Sequence, residues 1–568
     1  MKPVKKNIQP KAPAAAKKQV ALSVFEQTEQ FFRNNEKVVI LVITLLGILF
    51  SFLLFDVKIS EGNDDALYIE GGYNYATDFS NYRFTANAPL YPFFLGGVVY
   101  LFGLNLILMK AINVIFFNAA IVLLALAFRR RIPGMVLYPA LLVMALNSYF
   151  LYYASQTYTE SLFMMLQGLT LWGILNSFDK MDLHPGDLKK NWIHFLKIGL
   201  LIFLLTYCKN IAIGAVGALV LYFLISKKYL EMVYSVAGYA LIKFPFEAFR
   251  SMIWGSSGQY SNQLQILLQK DAYNPSMGTE DISGFIGRFF GNFDIYISKR
   301  LFQILGFYDP DAIIIKSALG VFALLLGIFG IYWIFKNGNK AMIYLVLFAG
   351  LQMGLTFLVL QTKWDQPRLV LIYVPFILMI IFFGIYKFTE NKGVGGFSLL
   401  LTVWLLVISS VFISTSKKAV KNFPVLKKNL AGDKFYGYTP DWSNFLKLSE
   451  WCADSLPANS LVASRKAPMS FVYGHGKKFY PVYTVPAVDS LTKLSNPDSA
   501  LALLKKEGVT HIIVANLRRN PKKVDGYIIN TIHRMIYPIS QKYPAKLKFV
   551  KKFGDTEDAQ LYEIRYDN

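Results

Sequence analysis

The sequence predicts a polytopic α-helical membrane protein that continues into a smaller C-terminal α/β domain. Its 568 residues are 54% hydrophobic and 16% aromatic, which is too apolar for one soluble domain of ordinary composition. Several apolar runs approach or exceed the ~20 residues needed to cross a bilayer. Residues 415–568 are charged and mixed, and helical patterns alternate there with strand patterns over a length sufficient for one domain.

The apolar region, residues 38–414, is expected to contain about eleven transmembrane helices. They are predicted near residues 38–55, 105–127, 135–152, 157–176, 194–208, 210–226, 230–246, 313–335, 341–360, 368–387 and 395–414. Residues 1–37 begin with a stretch rich in lysine, proline and alanine, which is typical of a disordered basic cytoplasmic tail. Because no small-residue cleavage site accompanies the first span, we expect an uncleaved anchor.

Positive charge is concentrated between the apolar runs. The formal net charge is +23, and much of the lysine and arginine lies in short clusters. Such clusters mark membrane topology rather than a nucleic-acid-binding face, so no nucleic-acid partner is expected. With a cytoplasmic N-terminus, all of these clusters fall on the cytoplasmic side, near residues 129–131, 180–190, 227–228, 336–340 and 387–392. The C-terminal domain is then extracytoplasmic.

Two further features bear on the compartment. No Asn-x-Ser/Thr sequence with a residue other than proline at x occurs, which favours a bacterial inner membrane over a eukaryotic secretory pathway. The two cysteines, Cys208 and Cys452, lie far apart in the chain, so no disulfide framework or thiol-metal site is expected.

Two long outer loops are predicted, residues 56–104 and 247–311. The first contains an apolar stretch, 89–103, that is too short for a crossing and is expected to lie in the membrane interface. The second contains helical patterns at 262–269 and 285–305. In the C-terminal domain we expect helices at 443–456, 499–507 and 527–543 and strands at 460–465, 509–515, 547–553 and 559–566.

Ionisable residues collect at the outer ends of the predicted spans. They are Asp64, Asp65, Lys110, Glu160, Lys209 and Arg368. Charged groups at membrane depth are costly to keep and tend to mark function. A carboxylate that activates a hydroxyl, with cations that hold a phosphate leaving group, is what transfer from a phospholipid-linked sugar requires. The alternative that these are boundary charges reaching toward the membrane surface stays open.

The stretch Asn63-Asp64-Asp65-Ala66-Leu67-Tyr68-Ile69-Glu70 resembles the first outer loop of GT-C-fold glycosyltransferases. This superfamily includes the protein O-mannosyltransferases and the lipid A aminoarabinose transferases, glycosyltransferase families 39 and 83. Residues 88–92 and 101–103 resemble its Pro-rich helix and Phe-Gly ending, and residues 368–375 resemble its late Arg-Tyr-Leu-Leu-hydrophobic-Pro segment. The sequence departs at Leu369, where an aromatic residue is usual, and at Leu67, where the mannosyltransferases have histidine.

The resemblance implies a polyprenyl-phosphate-linked sugar donor and a hydroxyl acceptor, with inversion at the transferred sugar. Asp64 takes the place of the catalytic aspartate, Asp65 of the second acid and Tyr68 of the aromatic residue. Because sequence cannot separate adjacent acids, Asp65 stays an alternative base. Lys110 falls where the aminoarabinose enzymes have a basic residue that touches lipid phosphate. The predicted donor-phosphate ligands are Lys110, Lys209 and Arg368, with Glu160 in support of the site or as a helix cap.

No cofactor is expected, since the phosphate-cradling Gly-Lys-Ser/Thr loop is absent. A metal-free site is favoured by the resemblance, although Asp64 and Asp65 could together hold Mg²⁺ or Mn²⁺. Three other functions stay open: a lipid-linked glycan transporter or flippase, an oligosaccharide ligase or polymerase, and a membrane anchor for the C-terminal domain. The sugar and the acceptor, whether protein, lipid or glycan, are not predicted. His475, between two glycines, is expected to be a turn residue.

Overall fold

The computed structural model describes residues 22–255, 262–272, 277–519 and 528–566, and most of these residues are helical. Before the second long loop the helices are α1 (Val24–Asn34), α2 (Glu36–Leu53), α3 (Asp64–Thr77), α4 (Leu90–Phe102), α5 (Leu106–Phe128), α6 (Gly134–Leu146), α7 (Ser148–Ala154), α8 (Glu160–Met181), α9 (Leu188–Cys208), α10 (Gly214–Ile225) and α11 (Tyr229–Trp254). The next are α12 (Asn262–Leu268), α13 (Ile282–Phe293), α14 (Leu301–Ile304), α15 (Ser317–Asn337), α16 (Lys340–Val359), α17 (Arg368–Leu371), α18 (Val374–Thr389) and α19 (Gly393–Leu430).

Seven of the described helices are long and apolar enough to cross a membrane, and the bent pair α6–α7, whose halves meet at 61°, makes an eighth if it counts as one span. The seven are α2, α5, α8, α9, α15, α16 and α19. The predicted spans near 210–226 and 368–387 coincide with shorter apolar helices. The span near 230–246 coincides with α11, which is long but carries Glu231 and Lys243. Helix α4 matches the short apolar stretch of the first outer loop.

The N-terminal segment corrects one prediction. Residues 24–34 form helix α1 instead of a disordered tail, and residues 1–21 lie outside the described part of the chain. The Ser23 hydroxyl accepts the backbone N–H of Glu26, and the Glu26 carboxylate accepts the backbone N–H of Ser23, so both ends of the capping box are present. Phe25 is buried among aromatic rings of the bundle, which fixes the helix in place.

The basic loops that were predicted to share one side lie together. Arg129 pairs with Glu36 at 3.0 Å, and Asp182 contacts both Lys228 and Lys340. Helix α2 begins at this end of the bundle and ends just before the loop that carries Asp64. At a rise of about 1.5 Å per residue, its 18 residues place the two ends about 27 Å apart.

The predicted boundary at residues 414 and 415 falls inside α19, which continues to Leu430. The change in composition therefore marks the end of the apolar half of this helix and not the end of the helix itself. Its later turns are amphipathic and carry five lysines, Lys417, Lys418, Lys421, Lys427 and Lys428. The α/β domain begins after it, at about residue 440.

The C-terminal domain has a five-stranded mixed sheet with strand order β2-β1-β3-β5-β4. The strands are β1 (Leu461–Ser464), β2 (Phe479–Pro481), β3 (Val509–Ala515), β4 (Leu547–Phe553) and β5 (Ala559–Ile564). Strands β2, β1 and β3 are parallel, whereas β5 is antiparallel to both β3 and β4. The helices are α20 (Pro440–Ser455), α21 (Ala467–Tyr473), α22 (Pro497–Lys506) and α23 (Thr531–Lys542). The sequence predicted this layout but missed α21, the shortest of the four helices, and β2, the shortest strand.

Helix α21 connects the C-terminal domain to the first outer loop. It packs against α3, where Phe471 meets Tyr73 edge to face with ring centroids 5.1 Å apart. Nearby, the Tyr438 hydroxyl donates to the backbone carbonyl of Ile59 at 2.6 Å. The helix that begins with Asp64 is therefore held from the side of the C-terminal domain as well as from the membrane bundle.

Candidate active site

The chain turns sharply just before the two predicted acids. Asn63 has a left-handed backbone conformation with φ +76°, which asparagine tolerates better than most residues. Asp64 and Asp65 are then the first two residues of α3. Successive residues of an α-helix point about 100° apart, so the two carboxylates face different surroundings.

Asp64 faces a large cavity. Its side chain is 44% exposed, and one of its oxygens accepts a hydrogen bond from Nη2 of Arg368 at 2.5 Å. Arg368 begins α17, lies with its guanidinium over the Tyr158 ring at 4.5 Å, and donates from Nε to Gln366 at 2.7 Å. The structure thus brings together two predicted site residues that are 304 positions apart in the chain.

Asp65 is turned away from the cavity. It is fully buried and accepts hydrogen bonds from the backbone N–H and the hydroxyl of Ser60, at 2.7 and 3.0 Å, and from the N–H of Ala66 at 3.0 Å. Burial raises the pKa of this carboxyl, although Lys110 and the Ser60 hydrogen bonds act in the opposite direction. Asp65 therefore shapes the turn before α3, and the geometry removes the support for Asp65 as the base.

Lys110 also departs from its predicted place. It lies on the second turn of α5, is fully buried, and does not line the cavity. Its ammonium donates to the backbone carbonyls of Lys58 and Ser155 and to Oε1 of Gln156, the last two at 3.0 and 2.8 Å. All three protons are engaged within the protein, so the structure does not place Lys110 among the cavity residues that could contact a donor phosphate. Its contacts instead join the loop before α3 to the turn before α8.

Glu160 and Lys209 form a buried pair on the cavity wall. Glu160 begins α8, and Lys209 follows α9; their charged atoms are 2.7 Å apart. The second carboxylate oxygen of Glu160 has no hydrogen-bond partner among the described residues. The Lys209 ammonium also lies 5.8 Å from the ring centroid of Phe163. The two predicted residues are thus together, and both line the cavity.

Tyr68 lies one turn after Asp64 on α3 and also lines the cavity. Its hydroxyl accepts a hydrogen bond from the amide of Asn87 at 2.9 Å. Its ring meets Tyr91 edge to face, with centroids 5.5 Å apart. Tyr68 therefore links the helix of Asp64 to the loop that leads into α4.

The cavity has a volume of about 1280 Å³ and is built by both parts of the chain. Its membrane side is formed mainly by residues 56, 58–64, 158–160, 208–211, 364–369, 372 and 373. Its other side is formed by the C-terminal domain, through Arg465, Lys466, Tyr483, Arg519 and Thr531 among others. This volume is somewhat larger than that of a typical small-molecule pocket, about 300–1,000 Å³, so the cavity has room for two reactants.

Lys466 is a functional candidate that the sequence reasoning missed. It precedes α21, is only 8% exposed, and donates from Nζ to the backbone carbonyl of Glu61 at 2.7 Å. Burial lowers the pKa of Lys466 to about 8, and it raises the pKa of the neighbouring Glu61 carboxyl to about 7. A signal was available: Arg465 and Lys466 directly follow a parallel strand, and ligands tend to bind at the carboxyl ends of such strands.

One group of potential metal ligands occurs among the described residues, and it lies outside the cavity. Glu450, Asp454 and His475 place their ligand atoms within 4.8 Å of one another on the C-terminal domain. His475 lies in a turn with φ +53°, as predicted, and Glu450 also pairs with Lys434. The cavity carboxylates form no such group within the described ranges.

Comparisons with known proteins establish the architecture. No protein-family model and no curated protein sequence matches the chain. The structure of the archaeal oligosaccharyltransferase AglB from Archaeoglobus fulgidus, in complex with an inhibitory peptide and a dolichol-phosphate, superposes with a TM-score of 0.53 at 12% identity, covering 94% of this chain and 75% of that one. The structure of ArnT from Cupriavidus metallidurans bound to undecaprenyl phosphate gives a TM-score of 0.53 at 13% identity, covering 94% and 99%.

Both of these proteins are GT-C-fold glycosyltransferases, and at such low identity the likeness concerns the fold. The match extends over nearly the whole chain and includes the apolar helices described above. The chain is therefore an integral membrane protein with the GT-C fold and a C-terminal α/β domain.

Proposed function

We propose that the chain is a membrane glycosyltransferase that moves a sugar from a polyprenyl-phosphate-linked donor to a hydroxyl group of an acceptor, with inversion at the sugar. The observation that carries the proposal is Asp64, a half-exposed carboxylate that meets Arg368 at the wall of a 1280 Å³ cavity. Support comes from AglB and ArnT, which share the fold and were solved with dolichol-phosphate and with undecaprenyl phosphate.

In this proposal the donor phosphate binds between Arg368 and Lys209. One nitrogen of the Arg368 guanidinium donates a hydrogen bond to Asp64. A phosphate oxygen competes for the same guanidinium, and its arrival releases the carboxylate. Charge-assisted hydrogen bonds to a planar guanidinium suit phosphate as well as carboxylate, so the exchange costs little.

The released Asp64 then acts as the general base. It accepts the proton of the acceptor hydroxyl while that oxygen attacks the anomeric carbon. The bond from this carbon to the phosphate oxygen breaks on the opposite face, and polyprenyl phosphate leaves with its electron pair. A positioned base contributes about 10²–10⁴-fold, and the cations stabilise the charge that develops on the leaving phosphate.

We propose that the transfer needs no metal or other cofactor. Asp64 is paired with Arg368, and the oxygens of Asp65 accept hydrogen bonds from Ser60 and Ala66. Adjacent carboxylates turned in different directions offer no joint ligand set of the kind that Mg²⁺ or Mn²⁺ would require.

We also propose that the cavity opens on the extracytoplasmic side, with the basic loops in the cytoplasm. In support, the end of the bundle that holds Arg129, Lys228 and Lys340 lies about 27 Å from the Asp64 end, the length of α2. Positively charged loops remain on the cytoplasmic side of a membrane. A bacterial inner membrane would place donor and acceptor on this outer face.

The test is turnover by the purified full-length chain with polyprenyl-phosphate sugars and a hydroxyl acceptor. Asp64→Asn is expected to reduce turnover by at least about 10²-fold. Asp78→Asn, an exposed acid just after the same helix, is the matched control and should retain wild-type turnover. Wild-type turnover by Asp64→Asn would remove Asp64 as the base.

The same experiment separates the rival functions. Movement of labelled lipid-linked sugar across vesicles without any covalent product would support a transporter. Transfer of a long glycan from a diphosphate lipid, with monophosphate donors inert, would support an oligosaccharide ligase or polymerase instead.

A further inference from the structure

Lys466 is a buried ammonium on the cavity wall with little charge compensation. It is 8% exposed, and its one hydrogen bond to a described residue goes to the backbone carbonyl of Glu61 at 2.7 Å. No carboxylate oxygen of a described residue lies within 4.0 Å of the Lys466 ammonium, the distance that defines an ion pair. Its other close neighbour is the Trp442 ring, whose centroid is 5.5 Å away. An ammonium has three protons to donate, and leaving a buried charge unpaired is costly.

The four charged groups that the proposed function assigns to the reaction already balance one another. Asp64 pairs with Arg368, and Glu160 pairs with Lys209, so these four groups sum to zero. A phosphodiester that enters this set brings one negative charge that they do not neutralise. When the leaving group separates as a phosphate monoester, its negative charge increases further. Lys466 is an additional cation that can neutralise this charge.

The charges of Asp64, Asp65 and Glu61 act on Lys466 from a distance, but none of the described acids forms an ion pair with it. Asp56 pairs with Lys58 at 3.9 Å, and Asp365 pairs with Arg300 at 2.5 Å. The Glu61 carboxyl is largely desolvated, which raises its pKa to about 7 and weakens it as a counter-charge near neutral pH. The described part of the cavity therefore presents a cation whose natural counter-charge is an anionic group of a ligand.

We infer that Lys466 forms an anion subsite in the cavity, supplied by the C-terminal domain, which binds a phosphate-type group of a substrate. The group is the donor phosphate or an anionic group of the acceptor; the two share the chemistry that Lys466 recognises. The inference rests on the proposed function for the identity of the ligand, but the binding of an anion is measurable without turnover. It assigns the C-terminal domain a direct part in ligand binding.

The first experiment measures binding to the full-length chain in detergent micelles. The probes are a short-chain polyprenyl monophosphate and, separately, inorganic phosphate added after saturation with that lipid. Lys466→Gln keeps a donor for the Glu61 carbonyl but removes the charge, whereas Lys466→Arg keeps the charge. Lys506→Gln, an exposed lysine on α22, is the control.

Lys466→Gln is expected to weaken binding of one probe by about 10- to 100-fold, as loss of a hydrogen bond to a charged group would. The affinity of Lys466→Arg for the probes should stay within a few-fold of the wild-type value, and that of Lys506→Gln should equal the wild-type value. Weaker binding of the lipid phosphate identifies the donor as the source of the anion. Weaker binding of inorganic phosphate alone identifies a second, acceptor-side anion. Unchanged affinity for both probes in Lys466→Gln overturns the inference.

A second measurement uses the wild-type chain, so it does not depend on how the variants fold. An amine-reactive acylating reagent is applied with and without the probes, and modified lysines are quantified by peptide mass spectrometry. Bound probe should protect Lys466 at least several-fold and leave Lys506 unprotected. Equal modification of Lys466 with and without both probes would contradict the subsite. Failure of turnover with protection intact would instead count against the proposed function alone.

Discussion

Replacement of Arg368 tests whether the Asp64–Arg368 pair serves chemistry or only structure. In Arg368→Gln the guanidinium that contacts Asp64 at 2.5 Å and stacks on Tyr158 is lost. Asp64 is 44% exposed, and a partly solvated ion pair contributes about 1 kcal/mol or less to stability. Removal of one preorganised donor from a developing negative charge costs about 10²–10³-fold in kcat, or about 2.7–4 kcal/mol.

The two magnitudes separate the roles. We expect Arg368→Gln to lower kcat by about 10²–10³-fold while the free energy of unfolding falls by about 1 kcal/mol or less. The assay is mass-spectrometric turnover of a polyprenyl-phosphate sugar, with kcat and KM determined separately and melting followed in the same micelles. Arg33→Gln, at an exposed position of α1, is the matched control. A kcat within about threefold of wild type, or a loss of activity that simply follows loss of folded protein, would refute the reasoning.

Three further results are expected. Lys110→Met should lower the melting temperature strongly, because two buried carbonyls and the Gln156 side chain lose their hydrogen-bond donor, at a cost of about 1–3 kcal/mol each. Unchanged stability, with only a raised KM for the sugar donor, would support Lys110 as a phosphate ligand. Prolonged EDTA treatment should leave turnover unchanged, and restoration of a lost activity by Mg²⁺ or Mn²⁺ would show that a metal is required. The affinity for the anion held at Lys466 should fall as the pH rises through about 8, because the protonated ammonium is the binding form. Ionisation of Glu61, whose pKa is raised to about 7, lowers the affinity in the same direction. Glu61→Gln should therefore confine the loss of affinity to a narrower pH range, and Lys466→Arg should abolish the loss near pH 8. A profile that is flat between pH 7 and 9 would contradict the last expectation.

Sequence patterns located the membrane helices and the level of the site, because both follow from the length of apolar runs and the position of charges along them. Asp64, Glu160, Lys209 and Arg368 were all expected near one end of the bundle, and the structure places them around one cavity. The Asp64–Arg368 contact itself depends on how helices pack across 304 positions, which a single sequence does not specify.

Two predicted site residues differ from expectation in the direction that they face around a helix, and not in their depth along it. Asp65 and Lys110 lie at the expected depth in the bundle, but their side chains bond to nearby loop residues and backbone groups instead of facing the cavity. Adjacent positions on a helix diverge by about 100°, and the sequence does not say which of them faces the ligand. Lys466 was missed for another reason: it reaches the site from a separate domain, and only the end of strand β1 pointed toward it.

The central claim is that a lipid phosphate binds Arg368 inside the cavity and displaces Asp64 from it. It is tested most directly by an experimental structure of the full-length chain with a polyprenyl phosphate bound. We expect phosphate density within hydrogen-bond distance of Arg368 and Lys209, with the Asp64 carboxylate separated from the guanidinium. Phosphate density outside this cavity, with the Asp64–Arg368 contact intact, would contradict it.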